Sequence, residues 1–194
     1  MEKIIKKYSS LQEQEIDDIR YWKELSGDEK LIILEAIRAQ VWAIKDEHPE
    51  RLEEFIELLN AEQVRYLIVG GYAVGFHSRP KFTNDMDIWI DHSSENAQKM
   101  IAVLQSFGFA GLDLSAEDFS DPDKVIQLGV APIRIDLITG LGIDFDSAFQ
   151  QRIEGRYFGV KANFVSREHL IELKKQAGRK KDLDDIDWIH TYSE

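Results

Sequence analysis

The sequence predicts an α+β fold in which helices flank a mixed sheet carrying one crossover helix. Three observations lead there. Over the first sixty residues apolar side chains recur three and four apart; at Val64 the period falls to two; after Ser166 the helical spacing returns. A chain of 194 residues is long enough for one well-buried core. The expected organisation is a helical extension at 1–60, a central α/β core at 61–165 and terminal helices at 166–194 packed on it.

Ser26-Gly-Asp-Glu29 spells a capping box, and Leu31, Ile32, Leu34, Ile37 and Val41 follow as one apolar stripe. A second stripe after Pro49 runs through Leu52, Phe55, Ile56 and Leu59. No Pro/Gly-rich linker follows, so these helices should pack on the next segment. VRYLIV then reads as a strand ended by Gly70-Gly71, with YAVGF opening a helix. The polar loop HSRPKFTN leads to the strand DMDIWI. SSENAQKMIAVLQSFGF is an amphipathic helix capped by Ser93 or Ser94 and closed at Gly108. VIQLG and IRIDLI form a hairpin through a tight Val-Ala-Pro connection. A short helix around Ala148 and small strands at YFGV and ANFV precede a helix from the Ser166 cap to Gly178, and a last helix starts near Lys180. Trp22, Trp42 and Trp188 are read as core residues, His77 as a surface or capping residue, and the acidic DLDDID as a solvated helix face.

Composition narrows the function. No run of about 18 apolar residues occurs, so no membrane span is expected, and a cytoplasmic location is the default. The absence of cysteine removes disulfides and thiolate metal ligands. A net charge of −12 argues against wrapping duplex nucleic acid by general electrostatics. One segment runs the other way: Arg167, Lys174, Lys175, Arg179, Lys180 and Lys181 face only Glu168 and Glu172. That basic segment reads as a solvated helix face or as a binding patch.

The chemistry concentrates at TNDMDIWID. In a strand, residues i and i+2 share a face, so Asp85 and Asp87 project together while Met86, Ile88 and Ile90 point into a core. By the same parity Asp136 in IRIDLI lies opposite Ile133, Ile135 and Leu137, beside Arg134, which reads as its ion-pair partner. If the two strands share a sheet, three carboxylates converge. A pair of Mg²⁺ ions, about 3.5–4 Å apart, uses such an oxygen donor set in phosphoryl transfer. The alternative is the solvent face of an antiparallel sheet. Like charges on one face repel unless a cation joins them, and a glycine pair at a strand end lets backbone N–H groups approach a phosphate. Trp89 stands one pleat beyond Asp87, where packing under the terminal helices is the simpler role than stacking on a base.

The run LIVGGYAVGFHSRPKFTNDMDIWID resembles the signature of the nucleotidyltransferase superfamily, the DNA polymerase beta-like group: an apolar residue with Gly-Gly, a spacer, Asp-x-Asp on a strand, and a further Asp on a later strand. GGYA, Lys81 with Thr83, IRID and the ending KKQAGRKKDLDD are similar to the toxin-type branch called AbiEii or type IV toxin–antitoxin proteins. The resemblance spans roughly residues 64 to 190 and implies that 61–165 is the catalytic core. It implies Asp85, Asp87 and Asp136 as catalytic Mg²⁺ or Mn²⁺ ligands in a two-metal mechanism. Gly70 and Gly71 would cradle the β- and γ-phosphates of an NTP such as ATP, with Lys174, Arg179, Lys81 and Thr83 as further nucleotide contacts; Asp182 would orient Lys174 or Arg179. The implied acceptors are tRNA, a protein hydroxyl or a small molecule, with an antitoxin as possible partner. Two other readings stay open: a transferase-like binding module without turnover, and a phosphoesterase working at the same metals.

Overall fold

The computed structural model describes residues 11–42, 50–110, 114–130 and 133–192. Three helices come first: α1 (Leu11–Glu24), α2 (Gly27–Trp42) and α3 (Glu50–Ala61). The capping box at the start of α2 forms, with the Ser26 N–H donating to Glu29 Oε2 at 2.8 Å and the Glu29 N–H donating back to Ser26 Oγ at 3.3 Å. Next come β1 (Tyr66–Ile68), α4 (Gly70–His77), β2 (Asp85–Ile90) and α5 (Ser94–Leu104). The chain continues through α6 (Ala116–Ser120), β3 (Val125–Val130), β4 (Ile133–Ile138), α7 (Phe145–Gln150), β5 (Ile153–Tyr157), β6 (Val160–Phe164), α8 (Arg167–Ala177) and α9 (Lys180–Tyr192).

The six strands form one sheet in the order β3-β4-β2-β1-β6-β5. β1 runs antiparallel to β2 and parallel to β6, and β2 runs parallel to β4; the outer pairs β3/β4 and β5/β6 are antiparallel. Both faces of the central strands are covered, which explains why VRYLIV reads as a continuous apolar run. Tyr66, Ile68, Met86, Ile88, Ile135 and Leu137 share one core with Leu31 and Leu34 of α2, Phe55 and Leu59 of α3, and Met100 of α5. Leu67, Val69 and Trp89 share the other with Ala73 of α4, Phe145 of α7, Leu170 of α8 and Ile189 of α9. Each fully buried Leu, Ile or Phe contributes about 1.5–3 kcal/mol. The N-terminal helices α2 and α3 therefore belong to the main core.

Several elements differ from the sequence expectation. β1 is shorter than VRYLIV. The last hairpin is formed by IEGRY and VKANF, not by YFGV and ANFV, because Phe158 and Gly159 are its turn, with φ of 49° and 93°. A two-residue hairpin turn needs such positive φ values. α6, with its own Ser115 capping box, was not anticipated. Gly108 lies inside a π turn over Gln105–Phe109 that extends α5. Ile32 points to solvent. Trp22 and Trp188 are half-buried, not core; Trp188 is covered by the Arg79 guanidinium, 3.9 Å from its ring centre. The side chain of Trp42 and the Ala131-Pro132 connection fall outside the described residues. Among those residues no helix is long and apolar enough to cross a membrane.

Candidate active site

The glycine pair opens α4 directly over the acidic strand. Gly70 has φ +59°, a left-handed conformation that glycine adopts without steric cost. A Cβ there would collide with the Asp87 carboxylate, so the backbone and the acid are in direct contact. The Gly71 N–H donates to Asp87, and the Val69 N–H donates to the Asp87 carbonyl at 2.9 Å. A Cβ on Gly71 would come within 2.7 Å of Thr83 Oγ1, and Thr83 Oγ1 donates to Asp85 Oδ1 at 3.0 Å. The diglycine turn and both acids of β2 are thus one packed unit.

The third acid arrives from the neighbouring strand. β2 and β4 pair with Asp85 opposite Arg134, Asp87 opposite Asp136 and Trp89 opposite Ile138. The parity reading places these side chains on one face, and Met86, Ile88 and Leu137 are fully buried on the other. Burial raises the Asp87 carboxyl from 3.8 to about 6, assisted by the charges of Asp85 and Asp136, while Lys174 and the Gly71 N–H oppose the rise. Arg134 answers part of the excess negative charge. Its Nε donates to Asp136 Oδ1 at 2.8 Å, a second nitrogen bonds Asp136 Oδ2, and the same nitrogen lies 3.7 Å from Asp85 Oδ2.

The cations read as nucleotide contacts gather on α9. Lys174 is buried and donates to Asp182 Oδ1 at 3.1 Å and Asp185 Oδ2 at 2.8 Å. Arg179 bonds Asp182 at 2.6 Å, and Lys81 pairs with Asp185. Burial works against the Asp182 charge, but the bonds from Arg179 and Lys174 prevail and hold its carboxyl below the usual range. Asp182 and Asp185 are 0% and 2% exposed and Ile186 is buried with them, so only Leu183, Asp184 and Asp187 of DLDDID form the expected solvated face. The spacing of Asp182 and Asp185 with Ile186 and Ile189 puts all four on one helical stripe, and that was the available signal. Asp185 was missed for want of it.

Lys174 and Arg179 line a cleft of about 350 Å³ together with Gly70, Asp87 and Asp182 and the apolar Val69, Ile138, Leu141, Leu170 and Leu173. Lys81, Thr83 and Gly71 lie outside that lining. Trp89 packs edge-to-face on Phe145 at 4.9 Å and is 1% exposed, which makes it core. His77 ends α4, and its Nε2 donates to the Val165 carbonyl at 2.7 Å; burial lowers its pKa, against the bond to Val165.

The donor set suits a hard divalent cation: carboxylate oxygens only, crowded enough that one of them resists ionisation. Among the described residues no three carboxylate or imidazole groups close around a single point, and the Arg134 guanidinium stands between Asp85 and Asp136. Asp85 and Asp87 on β2 and Asp136 on β4 are the groups that could hold such an ion.

Residues 48–194 match the model of a family described as "Nucleotidyl transferase of unknown function (DUF2204)". No curated protein sequence matches the chain. Among solved structures, the chain is similar to the lincomycin-bound lincosamide antibiotic adenylyltransferase LnuA, at 15% identity and a TM-score of 0.49, covering 77% of this chain and 100% of that one. A putative nucleotidyltransferase from Thermotoga maritima matches at 16% identity and a TM-score of 0.49, over 76% of this chain and 95% of its own. ANT(2")-Ia in complex with adenylyl-2"-tobramycin matches at 13% identity and a TM-score of 0.46, over 72% and 86%.

Proposed function

Because the chain belongs to this nucleotidyl transferase family, we propose that it transfers a nucleoside monophosphate from an NTP to an acceptor hydroxyl at the acidic face of β2 and β4. The observation that carries this reading is the register of Asp87 with Asp136, with Asp85 on the same face and the Gly70-Gly71 turn closed over Asp87. Asp85 and Asp87 would hold one divalent cation, Mg²⁺ or Mn²⁺, and Asp136 would complete a second site beside the acceptor. Bound there, the ions would stabilise charge on the phosphates and acidify the attacking hydroxyl. Lys174 and Arg179 bring positive charge into the cleft lined by Gly70 and Asp87, where the triphosphate would lie, and the apolar lining suits a nucleobase. The hydroxyl then attacks the α-phosphorus in line and pyrophosphate leaves. Arg134 is the built-in cation of the resting site.

GGYA, the Lys81/Thr83 pair, IRID and the GRKKD ending support placement in the toxin-type branch, and with it a tRNA or protein acceptor and an antitoxin partner. Incubation with each labelled NTP, Mg²⁺ or Mn²⁺ and total cell RNA should label RNA or the protein itself. Label must vanish with chelator and in Asp85→Asn. Transfer indifferent to that substitution would overturn the assignment.

A further inference from the structure

We propose that Arg38, on a helix that precedes the segment matched by the family model, is a positioning residue for the reaction centre, holding Thr83 and through it Asp85. The inference rests on reading Asp85 as an active-site acid. Residues 48–194 define the family match, and α2 lies wholly before them. Yet α2 delivers a guanidinium, 4% exposed, to the loop that carries the site.

The contacts form a continuous relay. Arg38 Nη1 donates to both Glu35 oxygens, at 2.8 and 3.0 Å, and bonds the Tyr72 hydroxyl. The Tyr157 hydroxyl donates to Glu35 Oε1 at 3.0 Å, and the Tyr72 hydroxyl donates there as well. Tyr72 belongs to the first turn of α4, immediately after Gly70-Gly71. A second nitrogen of the guanidinium reaches the loop: Arg38 Nε donates to the Thr83 carbonyl at 3.1 Å. Thr83 Oγ1 in turn holds Asp85 Oδ1 at 3.0 Å and abuts Gly71. Residues 78–84 form neither helix nor strand, so this carbonyl has no ladder to fix it. A buried ion pair is a weak stabiliser compared with apolar packing of similar volume. What an apolar side chain could not supply is the Nε–H bond that grips the loop. Lysine cannot supply it either, being a single point donor without the planar geometry.

The test uses the full chain with Arg38→Lys, which keeps the charge beside Glu35, and with Glu35→Gln/Arg38→Met, which removes both buried charges together. Three quantities are read: Mn²⁺ binding by electron paramagnetic resonance, amide hydrogen exchange, and transfer kinetics. Expected are Mn²⁺ binding at least tenfold weaker, exchange faster over residues 82–86 while α2 stays protected, and a fall in kcat. A purely structural role would instead loosen α2 itself and leave Mn²⁺ binding of the folded fraction unchanged, which would overturn the proposal. Thr83→Val, which leaves the buried pair intact, should also weaken Mn²⁺ binding; wild-type binding there would sink the relay. If the parent protein itself neither binds Mn²⁺ nor transfers nucleotide, the reading of the site fails; if the parent does both and the variants match it, the relay alone fails.

Discussion

Asp87 and Asp136 stand directly opposite one another on the adjacent parallel strands β2 and β4, and the charge of Asp136 helps to raise the Asp87 carboxyl. The Asp87 carboxyl is raised from 3.8 to about 6, so the folded chain holds this proton more tightly than the unfolded chain does. Its stabilising contribution is complete below about pH 4 and is lost as pH climbs through 6. Asp87→Asn keeps the shape without the charge. It should match the parent in urea unfolding at pH 4, exceed it at pH 8 by up to about 3 kcal/mol, and have no transferase activity.

Gly70→Ala meets two obstacles at once, a left-handed backbone and the Asp87 carboxylate in the place of its Cβ. The backbone conformation alone costs on the order of 1–3 kcal/mol. Thermal unfolding should show a loss of at least that size, and kcat should fall more than a hundredfold because Asp87 is displaced.

Arg179 and Asp182 share an ion pair but differ in setting: the Arg179 side chain is 61% exposed and that of Asp182 is 0%. Arg179→Ala should change stability by less than about 1 kcal/mol while raising KM for the NTP. Asp182→Ala strips one partner from buried Lys174 and should cost about 3 kcal/mol. Denaturant titration and initial-rate kinetics on the two variants separate these effects.

Trp89 Nε1 is buried with no hydrogen-bond partner among the described residues. Trp89→Phe should therefore cost less than about 1.5 kcal/mol and leave KM unchanged, whereas Trp89→Ala should cost about 3–5 kcal/mol. Near-equal KM values in the Phe variant and the parent, measured with the same NTP, are the check that this ring packs and does not stack on a base.

The acid pair, the third acid and the diglycine turn were legible because a period of two and a steric demand for glycine are local properties of the chain. Sheet order was not, since it depends on pairings between segments as distant as Ile68 and Phe164. Glu35 and Arg38 look in sequence like an ordinary exposed pair one turn apart; only the arrival of Tyr72 and Tyr157 buries them. Lys174, expected as a nucleotide contact, lines the cleft, but its carboxylate partners were only half visible. Asp182 could be suspected from its neighbours, while Asp185 was hidden in a run of acids that read as solvent-facing. The YFGV strand failed because Phe158 adopts a positive φ that the sequence does not advertise.

The three acids lie on inner strands of the sheet. β1, β2 and β4 have hydrogen-bonded neighbours on both sides, whereas β3 and β5 are the outermost strands and carry the solvent-facing Val125 and Ile153. On the β5 side, β6 and β1 stand between the outer strand and the acids, whereas β3 pairs directly with β4 and sets Gln127 opposite Asp136. Sequence change on the β5 margin is therefore two strands removed from the acidic face, while change in β3 borders it directly.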